Sequence, residues 1–222
     1  MPRAARVLID GGIYHVMSRG NNGQSVFRAD YDFVRYLSLL KGQLWPRGLT
    51  VFHYALVPNE AHVILRPERG LLLSKAMLSL NLAYSLYYRK RYEYSGHLWQ
   101  GRFHSTLILG VAALLEHGCH LETTPVRLGL VDRAGDYAGT SYHVYAQGAQ
   151  SALVDPSRHP PYIDLGATAI ERQERYRMRV TAALTQPVMQ EVDPLRRDTK
   201  SPLLKSSAAG RLPVMDTTLR PT

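Results

Sequence analysis

Two β-rich runs, Thr50 to Val57 and Ala61 to Leu65, are joined at Pro58-Asn59. So short a connection cannot hold a parallel crossover, so the two runs are expected to pair antiparallel. Ahead of them, Ile13-Tyr14-His15-Val16-Met17-Ser18 alternates as a half-buried strand and ends at the turn signal Gly20-Asn21-Asn22-Gly23. Between these stretches Phe33, Val34, Leu37, Leu40 and Leu44 recur at three and four, which predicts a helix with Asp30 as N-cap, stopped by Pro46 and Gly48. Residues 71–92 predict a long helix, Leu-rich then Tyr-rich. Arg102 to Leu109 predicts another strand, and Val111 to Thr123 a helix closed by Pro125.

The order β-α-β-β-α-β-α gives an α+β class with a largely antiparallel sheet and helices on one face. The texture changes near residue 146. Gln147 to Pro161 is loop-like, residues 167–184 predict one more helix carrying Ile170, Tyr176 and Val180, and residues 186–222 show no sustained periodicity. The expected division is therefore 1–145 as the main domain, 146–185 as a helical extension and 186–222 as an irregular tail. A single cysteine, Cys119, excludes an internal disulfide framework and an all-cysteine zinc cage. No apolar run approaches the ~20 residues of a membrane span, and the first residues lack a long apolar signal core, so the expected compartment is the cytoplasm, with no membrane partner.

Charge narrows the function. There are 27 Lys and Arg against 18 Asp and Glu, a net +9. Arg66, Arg69, Lys75, Arg89, Lys90, Arg91 and Arg102 against Glu68 and Glu93 place +5 of that within residues 66–105. Tyr84, Tyr87, Tyr88, Tyr92, Tyr94, Trp99 and Phe103 are interleaved with them. Cations suit a phosphate backbone and flat rings suit unpaired bases, so the segment is a candidate single-strand DNA surface. The alternative is a helix with its tyrosines in the core and a solvated basic face.

Glu60 and His62 stand two apart on a predicted strand and so share a face. A carboxylate beside an imidazole is a competent half-site for Mg²⁺ or Mn²⁺. His15 either faces the same surface or is a satisfied structural histidine.

Several blocks occur in order: Tyr14-His15-Val16-Met17-Ser18-Arg19-Gly20-Asn21, Val57-Pro58-Asn59 followed by His62, Gly96-His97-Leu98-Trp99-Gln100-Gly101-Arg102-Phe103, Pro125-Val126-Arg127 with Gly129-Leu130-Val131, and Asp136-Tyr137 with Ser141-Tyr142. Over residues 1–180 the set resembles the REP-associated tyrosine transposases, single-tyrosine members of the HUH nuclease superfamily. The resemblance implies a ferredoxin-like domain that binds single-stranded or hairpin DNA as a monomer or homodimer. It also implies two metal-holding histidines and a helical tyrosine that attacks the scissile phosphate.

Carried over residue by residue, the family's first metal histidine falls on Glu60 and the second on His62. The nucleophile falls on His120, and the Asn preceding the family's proline falls on Thr124, a candidate third metal ligand. An imidazole in place of a phenol removes the phosphotyrosine chemistry. Tyr84 and Tyr87, with Tyr88 beside them, are the candidate substitute nucleophiles. Expected DNA contacts are Arg19, Arg66, Arg89, Lys90, Arg91, Tyr88, His97, Trp99, Gln100, Arg102 and Arg127. Three functions stay open: a DNA-binding relative with impaired cleavage, an active transposase using a substitute tyrosine, and a metal-dependent phosphodiester hydrolase using water.

Overall fold

A computed structural model describes residues 8–186. Four antiparallel strands, β1 (Ile13–Arg19), β2 (Leu49–Val57), β3 (Glu60–Pro67) and β4 (His104–Ile108), form one sheet in the order β2-β3-β1-β4. With α1 (Asp30–Leu44) and α2 (Gly70–Tyr92) between them, this is the βαββαβ ferredoxin-like arrangement of an α+β domain. The hairpin at Pro58-Asn59 sets the β2–β3 pairing, and a one-residue irregularity between Val51 and His53 brings Phe52 and His53 together opposite Ile64.

Side chains alternate across the sheet. Tyr14, Val16, Val63, Leu65 and Leu56 face α1 and α2, meeting Tyr36, Leu40, Leu73, Leu80 and Tyr84 in the larger core. The opposite face carries Ile13, Phe52, Ala55, Ile64 and Ile108, covered by Leu114 and Leu121 of α3 (Ala112–Glu122). The chain continues through α4 (Thr124–Arg127), α5 (Tyr142–Gln147), α6 (Pro160–Ile163) and α7 (Ala169–Thr185). Tyr176 and Val180 are on the buried face of α7 with Ala183, whereas Ile170, expected to join them, is exposed in the first turn. The tail expected to be irregular lies outside the described residues apart from Gln186. Among the described residues no helix is long and apolar enough to cross a membrane.

Two local expectations are corrected. Asp30 is not the N-cap of α1. Ala29 occupies that position, and the Asp32 carboxylate, fully buried, accepts the Arg28 and Ala29 amides at 2.7 and 3.0 Å. The outward face of α2 is also largely apolar rather than basic: Leu71, Leu78, Leu82 and Leu86 are 58–73% exposed there, with Lys75 the one cation among them before the last turn. Arg89, Lys90 and Arg91 are confined to the last turn, where cations favour the negative end of the helix dipole.

Candidate nucleic-acid interface

The sheet register builds the first cluster. Arg19 lies opposite Glu60, Met17 opposite His62 and His15 opposite Ile64, so Arg19, Glu60, His62 and His15 share the face that α3 covers. His62 Nε2 is 2.9 Å from Glu60 Oε2, and His62 Nδ1 is 3.1 Å from His15 Nε2. The two imidazoles stack with centroids 5.3 Å apart. Arg19 Nε sits 3.3 Å from Glu60 Oε1. An ionised Glu60 only accepts, so His62 donates from Nε2 and receives the Nε2–H of His15 at Nδ1. His15 therefore joins the polar face of the sheet.

The metal that the resemblance implies does not fit these donors. Both ring nitrogens of His62 and both oxygens of Glu60 already have partners, Arg19 among them. Among the described residues no group of three His, Cys, Asp or Glu side chains is arranged to hold an ion. Glu60 and His62 do share one face and converge, as expected, but on each other, and the carboxylate also meets the Arg19 guanidinium. Thr124, the expected third ligand, opens α4, where its carbonyl accepts the Leu128 amide. His120 meets the side chain of Gln186, with Nε2 3.1 Å from Oε1.

The substitute nucleophiles are corrected as well. Tyr84 and Tyr88 are fully buried on the other side of the sheet and donate to the carbonyls of Val26 and Ser25 at 2.7 and 2.9 Å. Tyr87 and Tyr92 donate to Asp32. Burial pushes the Tyr84 and Tyr87 hydroxyls well above the usual phenol range, the reverse of an activated nucleophile. Tyr88 does not stack on bases, and neither does Trp99, which packs against Tyr36 and Tyr84 and donates to Asn81 O at 3.1 Å. The core alternative holds for these aromatics.

The exposed cations remain. Arg66, Arg89, Lys90, Arg91 and Arg102 reach solvent, as do His97 and Gln100. Arg91 lies over the Tyr31 and Tyr92 rings and 4.0 Å from Asp32, and Arg66 lies over Phe52. Buried Leu98 and Trp99 hold the loop that carries His97, Gln100 and Arg102. The Gln100 amide donates to Arg19 O at 2.8 Å, so this loop is fixed beside the Arg19–Glu60 pair. Arg127 is not a phosphate clamp: its guanidinium donates to the carbonyls of Ala183 and Gln186 and closes the end of α7.

A second cluster, unforeseen from the sequence, lies on the same sheet face. His53 Nδ1 is 3.0 Å from Glu122 Oε1, and His53 Nε2 is 2.9 Å from His159 Nε2. The Tyr162 amide donates to His159 Nδ1 at 3.1 Å, Tyr176 donates to Glu122 Oε2 at 2.6 Å, and Ser141 donates to Glu122 Oε1. Since His159 Nδ1 accepts, its proton is on Nε2 and goes to His53, whose own proton on Nδ1 goes to Glu122. Burial drives His53 down to about 3 and His159 to about 2, and pushes Glu122 up to about 8. The network ties β2, α3, α6 and α7 together. Its signal in the sequence was a lone histidine inside the apolar run Val51-Phe52-His53-Tyr54-Ala55.

Residues 9–114 match the model of the family described as IS200-like transposases. Among the solved structures that match is a REP-associated tyrosine transposase bound to a REP hairpin. It is 18% identical, with a TM-score of 0.54, covering 70% of this chain and 94% of the other. No curated protein matches the chain.

Proposed function

We propose that this chain, whose residues 9–114 match the model of the IS200-like transposase family, binds hairpin or single-stranded DNA in a transposition-related role without the family's tyrosine cleavage. The observation that carries this reading is the fixed loop presenting His97, Gln100 and Arg102 beside the Arg19–Glu60 pair, with Arg89 and Lys90 exposed at the end of α2. A surface of exposed cations over a rigid scaffold is what phosphate contacts need. The solved relative with this fold holds a REP hairpin, which makes a hairpin the first substrate to try. The chemistry is argued from the nucleophile position. His120 has no phenolic oxygen to offer, and the neighbouring tyrosines are committed inside the core.

Incubation of a labelled hairpin strand with the protein and Mg²⁺ or Mn²⁺ separates the readings. The expected product is a shifted, intact strand. A covalent adduct formed by the native protein would overturn the loss of cleavage, and free cut product would favour a hydrolase that uses water. Placing both family residues back, as His120→Tyr with Glu60→His, is expected to produce adducts that the native chain does not. Replacing Arg89, Lys90 and Arg102 together by alanine should weaken binding and lower the slope of log K against log salt by about one for each phosphate no longer neutralised. An unchanged slope would place the DNA elsewhere.

A further inference from the structure

The two tryptophans of this chain sit in opposite environments. Trp99 is 9% exposed in the core, whereas Trp45 is 66% exposed at the end of α1. Trp45 borders a cleft of about 730 Å³ lined also by Lys41, Thr50, Arg158, Arg172 and Gln173. Lys41 Nζ lies 5.1 Å from the Trp45 ring centroid, so a cation and a flat ring are presented together. The mount is stiff: Pro46 fixes the backbone beside the indole, and Gly48, in the left-handed region at φ +66°, closes the turn with its amide on Trp45 O. The one acidic lining residue, Asp155, is 3.6 Å from Arg158, which leaves the cleft net positive through Lys41 and Arg172.

We propose that this cleft holds an unpaired nucleotide of bound DNA, its base against Trp45 and its phosphate at Lys41. A ring for stacking beside a cation for the backbone is the minimal unit of single-strand recognition. The cleft lies at the start of β2, whereas the Arg102 loop leads into β4 and is tied to the end of β1. The two are on opposite edges and opposite ends of the sheet, about 30 Å apart by strand geometry. The cleft would therefore take the single strand flanking a hairpin, or a separate strand. The proposal rests on the DNA-binding reading and is tested apart from it.

The probe is (dT)8, compared with a blunt hairpin lacking unpaired flanks. Bound (dT)8 should quench the exposed tryptophan emission and shield it from iodide. Trp45→Ala should weaken (dT)8 binding about tenfold, the effect of losing one stacked base, while leaving the blunt hairpin unaffected. Lys41→Ala should flatten the salt dependence for (dT)8 alone. If (dT)8 binds with iodide access to Trp45 unchanged and Trp45→Ala binds equally well, the cleft is not the site, although DNA binding stands. If neither the hairpin nor (dT)8 binds, both readings fall.

Discussion

Glu122→Ala should cost about 3–5 kcal/mol of folding stability, a large share of the 5–15 kcal/mol that a domain usually has. The Glu122 carboxyl is hydrogen-bonded to His53, Ser141 and Tyr176, all inside the protein, and alanine leaves the three without that partner. Glu122→Gln keeps the shape and one acceptor oxygen, so its loss should be smaller. Gly118→Ala should be as damaging by another route. A Cβ at that position would overlap atoms of the His53 ring, and the ring cannot retreat because Glu122 and His159 hold both its nitrogens. Urea denaturation followed by circular dichroism measures all three. Midpoints for Glu122→Ala and Gly118→Ala that correspond to less than about 1 kcal/mol of loss would show that the network does not hold the C-terminal helices to the sheet.

The same network should give the folded state a stability maximum near pH 6.5. His53 and His159 are held neutral by burial, at about 3 and about 2, while in the unfolded chain they titrate near 6.5. Below pH 6.5 the unfolded state therefore binds two protons that the folded state refuses. Their stabilisation is complete above 6.5 and is lost as the pH falls toward those depressed values. Glu122 acts in the other direction. Raised by burial to about 8, it keeps its proton in the folded state where the unfolded carboxyl has already ionised, so its contribution falls as the pH rises from about 4.5 to 8. At about 1.4 kcal/mol per proton per pH unit, two histidines outweigh one carboxylate below 6.5, and the carboxylate acts without them above it. Denaturation midpoints at pH 5, 6.5 and 8 should be highest at the middle value, and Glu122→Gln should remove the decline on the alkaline side. A midpoint that keeps rising from 6.5 to 8 in the native protein would contradict the raised Glu122.

The elements themselves were legible along the chain, because they rest on local chemistry. Alternation placed Ile13 to Ser18 in β1, the short Pro58-Asn59 connection forced the β2–β3 pairing, and Tyr176 with Val180 marked the buried side of α7. The placement of Glu60 and His62 on one face followed from the two-residue period of a strand. Net charge and the ordered motif blocks carried the resemblance to the transposase family, whose model matches residues 9–114. What each polar side chain does was decided only by tertiary contacts, since its partner comes from a distant part of the chain. Arg19 was expected on DNA and Glu60 on a metal, but the β1–β3 register sets one opposite the other, so their charges meet. The tyrosines of α2 looked like stacking surfaces, yet the helix turns Tyr84 and Tyr88 inward to carbonyls near residue 25, which no local pattern names. His53, Glu122 and His159 are separated by up to 106 positions, and each alone is an unremarked polar residue. Only when β2, α3 and the C-terminal helices pack do they shut out water, and a polar group so enclosed must then find its partner among the others.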